Sequence, residues 1–200
     1  MKITDVECLV LDKQYPFVRI YTDEGIVGIG ECFRSLPEVV RTIVEKVLKP
    51  VLFNKDTMET EVRWRVMIQA ASASDMGGMV YCAIAGLDIA MWDIKGKALG
   101  QPIYELLCGK AREKVRMYAS SMRRDLTPLE EAKRAVSLVE EGYSGYKLHS
   151  ALPGAIDDPS DQTIETVREV RAAVGSDIEI LVDVNGAFSA HHAIEIGKAL

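Results

Sequence analysis

The stretch of sequence that decides the fold reads Ile178-Glu179-Ile180-Leu181-Val182-Asp183-Val184-Asn185. Its apolar half predicts a short strand, the third in a regular alternation of strands with helical patterns. The predicted strands cover residues 115–119, 146–148 and 178–182, and the predicted helices cover 128–141, 161–174 and 189–200. Thr127 and Glu130, on either side of Pro128, predict a capping box where the first of these helices begins. Strands that alternate with helices in this way indicate a parallel sheet.

The residues before 114 show a different order of elements. Three short strands are predicted at 3–11, 17–22 and 26–31, and a tight turn at 23–25 joins the last two. Helical patterns follow at 37–48, 57–72 and 80–99, and Pro50 is expected to end the first of them. Strands followed by helices indicate an α+β unit. We therefore predict two domains, 1–113 and 114–200.

The second predicted domain is shorter than a complete barrel of alternating strands and helices. A complete (β/α)₈ barrel uses about 250 residues, or roughly 31 for each strand and helix. Residues 115–200 hold just under three such units, and residue 200 lies inside a helical pattern with no capping residue after it. We therefore expect the chain to be truncated, as the N-terminal half of a longer polypeptide.

The composition excludes several classes of protein. The chain has 200 residues, of which 48% are hydrophobic and 27% are charged, with a formal net charge of −6. This balance is typical of globular proteins, and the absence of a basic run argues against a nucleic acid partner. No membrane span and no secretory signal are predicted, so a cytoplasmic location is expected. The four cysteines form no C-x-x-C pair and are expected to be free thiols, most of them buried.

Polar residues close the second and third strands of the predicted parallel sheet, at the edge where such sheets bind ligands. The period of two puts Lys147 and His149 on one face of their strand, and it pairs Asp183 with Asn185 in the same way. Lysine, histidine, aspartate and asparagine together suit proton transfer beside a metal ion. The alternative is an interior salt bridge between Lys147 and Asp183 with a structural His149.

A longer motif lies in the helical pattern at 80–99. It reads Ala83-Ile84-Ala85-Gly86-Leu87-Asp88-Ile89-Ala90-Met91-Trp92-Asp93-Ile94-Lys95-Gly96-Lys97 and continues through residues 100–107. This run closely resembles the signature of the mandelate racemase/muconate lactonizing enzyme group of the enolase superfamily, and residues 28–31, 147–149 and 183–185 stand in the expected order. The resemblance implies an α+β N-terminal capping domain followed by the first three β/α units of a (β/α)₇β TIM-like barrel. It also implies Mg²⁺-assisted removal of the proton α to a carboxylate, through an enolate intermediate.

The same resemblance implies roles for individual residues. Asp183 is expected to be the first of three carboxylates that bind Mg²⁺, with Asn185 as a supporting polar contact. Lys147 and His149 stand where the family often has Lys-x-Lys, whose second lysine is the base. His149 departs from that pattern, and it either takes the proton or only binds substrate. The resemblance also implies that loops of the capping domain contribute to substrate specificity. The candidates are Gln14, Tyr15, Phe33 and Arg34. The alternative is that these four are ordinary surface residues.

The predicted reaction is the dehydration of a sugar acid, in which the α-proton leaves first and the β-hydroxyl second. A racemase, an epimerase or a cycloisomerase would use the same enolate. A Schiff-base lyase that uses Lys147 and a non-catalytic truncated module are the alternatives from other classes. The expected partners are a small-molecule carboxylate substrate and further copies of the same chain, because barrels with exposed apolar helices often assemble as homo-oligomers.

Overall fold

The computed structural model of the protein describes residues 1–72, 77–150 and 156–200. The chain divides into two compact parts, which we call the N-terminal unit, Met1–Ala111, and the C-terminal unit, Arg112–Leu200. No helix within the described ranges has both the length and the apolar character that crossing a membrane requires.

The N-terminal unit begins with an antiparallel sheet of three strands in the order β1-β2-β3. The strands are β1 (Ile3–Leu11), β2 (Tyr15–Thr22) and β3 (Val27–Glu31), which confirms the three predicted strands. Alternate residues face the core, so Val6 and Cys8 on β1, and Val18 and Ile20 on β2, are all buried. The turn predicted before β3 is present, because the Gly25 N–H donates to the Thr22 carbonyl.

In the described part of the N-terminal unit, five helices and one π-helical turn follow the sheet. They are α1 (Pro37–Ile43), the π-helical turn Val44–Leu48, α2 (Lys49–Leu52), α3 (Thr60–Ala71), α4 (Gly78–Leu99) and α5 (Ile103–Leu107). The prediction that Pro50 ends the first helix is wrong. A proline inside an α-helix removes a hydrogen bond and collides with the carbonyl of the turn before it. The π-helical turn interrupts that ladder, so Pro50 falls in the first turn of α2, where its missing N–H is not needed.

The sheet and α4 approach each other closely through glycines. A Cβ added to Gly30 would lie 2.0 Å from the backbone oxygen of Gly86, and one added to Gly28 would lie 2.1 Å from that of Ala90. This approach lets α4 bury a continuous apolar stripe against β2 and β3. The buried residues of this stripe are Ala83, Ile84, Leu87, Ala90, Met91 and Ile94. The long motif at 83–97 is therefore a packing element of the N-terminal unit.

The C-terminal unit is a parallel sheet of three strands in the order β4-β5-β6, with helices between and after them. The strands are β4 (Ala119–Ser120), β5 (Gly145–Leu148) and β6 (Glu179–Val182), and the helices are α6 (Pro128–Glu140), α7 (Thr163–Val174) and α8 (Ala190–Ala199). The alternation predicted from the sequence is confirmed. The capping box is confirmed too, since the Thr127 hydroxyl accepts from the Glu130 N–H while the Glu130 carboxylate accepts from the Thr127 N–H.

The first strand of this sheet is shorter than the predicted strand at 115–119. Only Ala119 and Ser120 pair with β5. By the register of this pairing, Tyr118 lies opposite Gly145, the first residue of β5, so residues 115–117 extend past the start of that strand. Arg116 instead bonds through its guanidinium to the Ser144 hydroxyl, at 2.9 Å.

Candidate active site

The polar residues predicted to lie at the carboxyl ends of the strands do lie together. Lys147 and His149 share one face at the end of β5, while Tyr146 and Leu148 on the opposite face are fully buried against α6 and α7. Asp183 follows β6, and its N–H continues the ladder by donating to the Leu148 carbonyl at 3.0 Å. The backbone of two neighbouring strands thus sets the positions of the three ionisable side chains.

Lys147 and Asp183 form an ion pair. The Lys147 Nζ donates to Asp183 Oδ2 at 2.7 Å, and the two side chains are 23% and 32% exposed. The hydrogen bond from Lys147 is the largest cause that lowers the pKa of Asp183, and the bond to Asp183 in turn raises the pKa of Lys147. The lowered pKa of Asp183 and the raised pKa of Lys147 both favour the charged form, so both groups carry their charge at neutral pH.

His149 is held in one orientation by the neighbouring strand. The residue is 5% exposed, and Nδ1 bonds to the backbone oxygen of Ser121, the residue after β4. Because a carbonyl oxygen only accepts, Nδ1 must carry the hydrogen. Nε2 then lies 3.6 Å from Asp183 Oδ2, and in the neutral ring it keeps a lone pair.

Asn185 supports Asp183 through its backbone. Its N–H donates to Asp183 Oδ1 at 3.0 Å, and its side-chain oxygen accepts a hydrogen bond from Arg124 Nη2. Arg124 follows β4 and is not among the site residues predicted from the sequence. Its position just after a strand of the parallel sheet is the one sequence feature that could have suggested it.

A cavity of about 280 Å³ opens beside His149 within the C-terminal unit. Its polar lining includes Arg124, His149, Ser150 and Gln162. This cavity was not predicted from the sequence. The loop that follows β5 contributes to it from both of its ends, while residues 151–155 of that loop lie outside the described residues.

The donor set fits Mg²⁺ in kind, because Asp183 offers hard carboxylate oxygens at an edge where a cation, the Lys147 ammonium, already bonds. It does not fit in number. Across residues 1–72, 77–150 and 156–200, no group of three or more histidine, cysteine, aspartate or glutamate side chains could hold a metal ion. Asp183 therefore qualifies as one ligand of such an ion.

The four specificity candidates lie at one end of the sheet in the N-terminal unit. Gln14 is in the β1–β2 turn, and Tyr15 begins β2. Phe33 and Arg34 follow β3 and are exposed. A hydrogen bond of 2.8 Å from the Cys32 N–H to the Pro16 carbonyl brings the two segments together.

Comparison with known proteins identifies relatives of both units. Residues 8–109 match the family described as mandelate racemase/muconate lactonizing enzyme, N-terminal domain, and residues 130–200 match the enolase C-terminal domain-like family. A D-galactonate dehydratase from Pectobacterium atrosepticum is 37% identical over 204 residues, covering 100% of this chain and 52% of that protein. An arabinonate dehydratase from Saccharolobus solfataricus is 34% identical over 186 residues, covering 90% of this chain and 48% of that protein. The chain thus spans about half the length of these relatives.

A solved structure supports the same relationship. The crystal structure of a mandelate racemase/muconate lactonizing protein from Paracoccus denitrificans PD1222, complexed with magnesium, superimposes with a TM-score of 0.89 at 30% sequence identity. The match covers 99% of this chain and 55% of that one.

Proposed function

This chain belongs to the mandelate racemase/muconate lactonizing enzyme group of the enolase superfamily, and on that premise we propose that it serves the Mg²⁺-assisted dehydration of a sugar acid. The observation that carries the proposal is the convergence of Lys147 and His149 on the Asp183 carboxylate, at 2.7 and 3.6 Å. The names of the relatives at 34% and 37% identity support the reaction and the class of substrate.

The reaction begins at the carbon next to the substrate carboxylate. The proton there is weakly acidic, because its removal adds a second negative charge to an anion. Bound Mg²⁺ supplies electrostatic stabilisation of that charge. Asp183 would hold the ion through a carboxylate oxygen, and the Lys147 ammonium, which bonds to that carboxylate, is positioned to orient the carboxylate of the substrate.

His149 has two proposed roles, which the same geometry supports. Because Nδ1 is committed to the Ser121 carbonyl, Nε2 is the ring atom that faces the Asp183 side chain. Nε2 either takes the α-proton as a general base or accepts a hydrogen bond from a substrate hydroxyl. In the second case another residue is the base.

Isotope exchange tests the reaction. The protein from its own source is incubated with galactonate or arabinonate in D₂O, with Mg²⁺ and with a chelator. Dehydration replaces the C3 hydroxyl by solvent deuterium and gives a 2-oxo-3-deoxy acid, whereas a racemase or epimerase leaves every hydroxyl in place and puts deuterium at C2. Neither product, over a panel of sugar acids, would refute the proposal.

Substitution of His149 separates its two roles. If Nε2 is the base, His149→Ala is expected to lower kcat about 10²- to 10⁴-fold with little change in KM. If Nε2 only binds substrate, the main effect is a higher KM. His191→Ala is the matched control, because the His191 side chain is 86% exposed.

The residues Gln14, Tyr15, Phe33 and Arg34 remain proposed specificity residues. Arg34 is the most informative of them, since a guanidinium can bind a second carboxylate or several hydroxyls of a substrate. Arg34→Ala is expected to change the ratio of kcat/KM between two sugar acids while leaving the exchange reaction intact. An unchanged ratio would assign Arg34 to ordinary surface.

A further inference from the structure

Two hydrogen bonds in series connect Arg124, after β4, to the carboxylate of Asp183, after β6. The Arg124 guanidinium donates from Nη2 to the side-chain oxygen of Asn185. The Asn185 N–H donates in turn to Asp183 Oδ1 at 3.0 Å. The first of these bonds joins residues far apart in sequence, and both meet at one residue.

The backbone at Asn185 is in a conformation that needs support. Asn185 has φ 48, in the left-handed region, and Gly186 after it has φ 73. Left-handed backbone is unfavourable for residues with a side chain, although asparagine tolerates it better than most. The hydrogen bond from Arg124 holds the Asn185 side chain and therefore the turn that carries its N–H.

The two oxygens of Asp183 have different partners. Oδ1 accepts from Asn185, whereas Oδ2 accepts from Lys147 at 2.7 Å and lies 3.6 Å from His149 Nε2. The bond at Oδ1 fixes the rotation of the carboxylate. As a result, Oδ2 is the oxygen presented to Lys147 and His149.

The two adjacent arginines after β4 differ in their surroundings. Arg123 is exposed and makes a bidentate pair with Asp125, at 2.7 and 2.6 Å. Arg124 has a buried Nε for which the described residues provide no hydrogen-bond partner. Within the described residues, the Arg124 guanidinium therefore makes its side-chain bond to Asn185 and keeps an unpaired donor at Nε.

We propose that Arg124 is a positioning residue for the metal-binding carboxylate of Asp183 and acts through Asn185. This inference rests on the proposed function, which makes Asp183 a ligand of Mg²⁺. Partners that orient a metal ligand commonly change metal affinity about 10- to 100-fold when they are replaced.

Mg²⁺ binding by titration calorimetry tests the inference in the protein from its own source. Arg124→Gln is expected to raise the Kd for Mg²⁺ by about 10-fold or more. Arg124→Lys, which keeps the charge but not the planar donor geometry, is expected to raise it by a smaller factor. Arg123→Gln removes the same charge from the adjacent position and is expected to leave the Kd within about twofold.

A double substitution tests the route through Asn185. If Arg124 acts through Asn185, then Arg124→Gln combined with Asn185→Ala raises the Kd no more than the larger single effect. Independent, multiplying effects would overturn the proposed route. Thermal unfolding of each variant separates a loss of metal affinity from a loss of folded protein.

The outcomes separate this inference from the proposed function. If the unsubstituted protein binds Mg²⁺ and both Arg124 variants bind it equally well, the inference is overturned while the proposed function stands. If Arg124→Gln does not fold, Arg124→Lys decides by the same criterion. If the unsubstituted protein binds no Mg²⁺, the proposed function fails and this inference fails with it.

Discussion

The two units of the chain differ in how much of what they bury is polar. The N-terminal unit buries a continuous apolar core between its sheet and α4, and its one buried charged side chain among the described residues, Arg63, is paired with Glu59 at 2.8 Å. The C-terminal unit has a smaller apolar core and also buries Ser121, Glu131 and His149. Buried polar groups destabilise unless they are hydrogen-bonded. The comparison teaches that the unit with fewer apolar contacts is the one that holds the candidate chemistry.

The largest expected effect is a loss of activity at the candidate active site of the C-terminal unit. Asp183→Asn removes the proposed metal ligand and the partner of Lys147, so activity should fall on the order of 10³-fold, equivalent to about 4 kcal/mol. Isotope exchange at C2 or C3 of a sugar acid measures it. Asp177→Asn is the matched control in the same unit, where the one hydrogen bond that the carboxylate accepts from the described residues comes from the Ser176 hydroxyl. Activity of Asp183→Asn within tenfold of the unsubstituted protein would contradict the assignment.

The second prediction tests the apolar packing of the N-terminal unit. Gly30→Ala should destabilise the protein by about 3 kcal/mol, because the new Cβ meets the backbone of α4, which cannot move aside as a flexible side chain can. Gly197→Ala in α8 is the control from the other unit. Its Cβ meets nothing within 4 Å, so the higher helix propensity of alanine should stabilise by about 0.5–1 kcal/mol. Urea unfolding measures both, and equal effects would remove the contrast between the units.

Much of this architecture could be predicted from the sequence because the signals are local. Strand alternation, the turn at Gly25 and the capping box at Thr127 each depend on residues within a few positions of one another. The shared face of Lys147 and His149 follows from the period of two, and the proximity of Asp183 follows from the parallel order of the strands.

The features that the sequence did not reveal depend on distant partners. The helix continues past Pro50 because a π-helical turn precedes it, and no local sequence pattern indicates that turn. The shortening of β4 depends on where β5 begins. Arg124 is recognisable only when β4 and β6 are side by side, because its partner Asn185 follows a different strand.

The third prediction concerns the stability of the protein at alkaline pH. Buried cysteines of the N-terminal unit are expected to cause most of its change with pH. Burial raises the pKa of Cys8 to about 11 and that of Cys32 to about 12, from an ordinary value of 9.0. A raised pKa means that the folded protein keeps a proton that the unfolded chain loses. Stability is therefore complete below pH 9 and falls as pH rises toward these values, by about 1.4 kcal/mol per pH unit for each such thiol.

Urea unfolding at pH 8, 9 and 10 measures this slope. Cys32→Ala should reduce it, whereas Cys108→Ala should not, because Cys108 is exposed. Burial also raises the pKa of Cys8 and that of Tyr146 in the C-terminal unit, with the same sign, so some slope persists in the Cys32 variant. A Cys32→Ala slope equal to that of the unsubstituted protein would show that buried thiols do not set the alkaline limit.

The smallest expected effect concerns how helices begin in the two units. In the C-terminal unit, side chains of Thr127 and Ser189 cap α6 and α8, while α7 begins without a side-chain cap, as do α1, α3 and α4 of the N-terminal unit. Thr127→Ala should therefore destabilise by about 1 kcal/mol.

Leu36→Ala, at the start of α1, provides the matched control for that substitution. The exposed Leu36 contributes a backbone carbonyl, not a side-chain cap, so its truncation should change stability by no more than about 0.5 kcal/mol.

The pH dependence of stability sharpens the test of the capping box further. Hydrogen bonds from Thr127 lower the pKa of Glu130 from 4.5, so the stability that the capping box contributes is present above that pH and is lost below it. Thr127→Ala should therefore differ from the unsubstituted protein most at neutral pH and least in acid. A difference that is the same at pH 7 and pH 3 would mean that the hydroxyl of Thr127, without the carboxylate of Glu130, accounts for the cap.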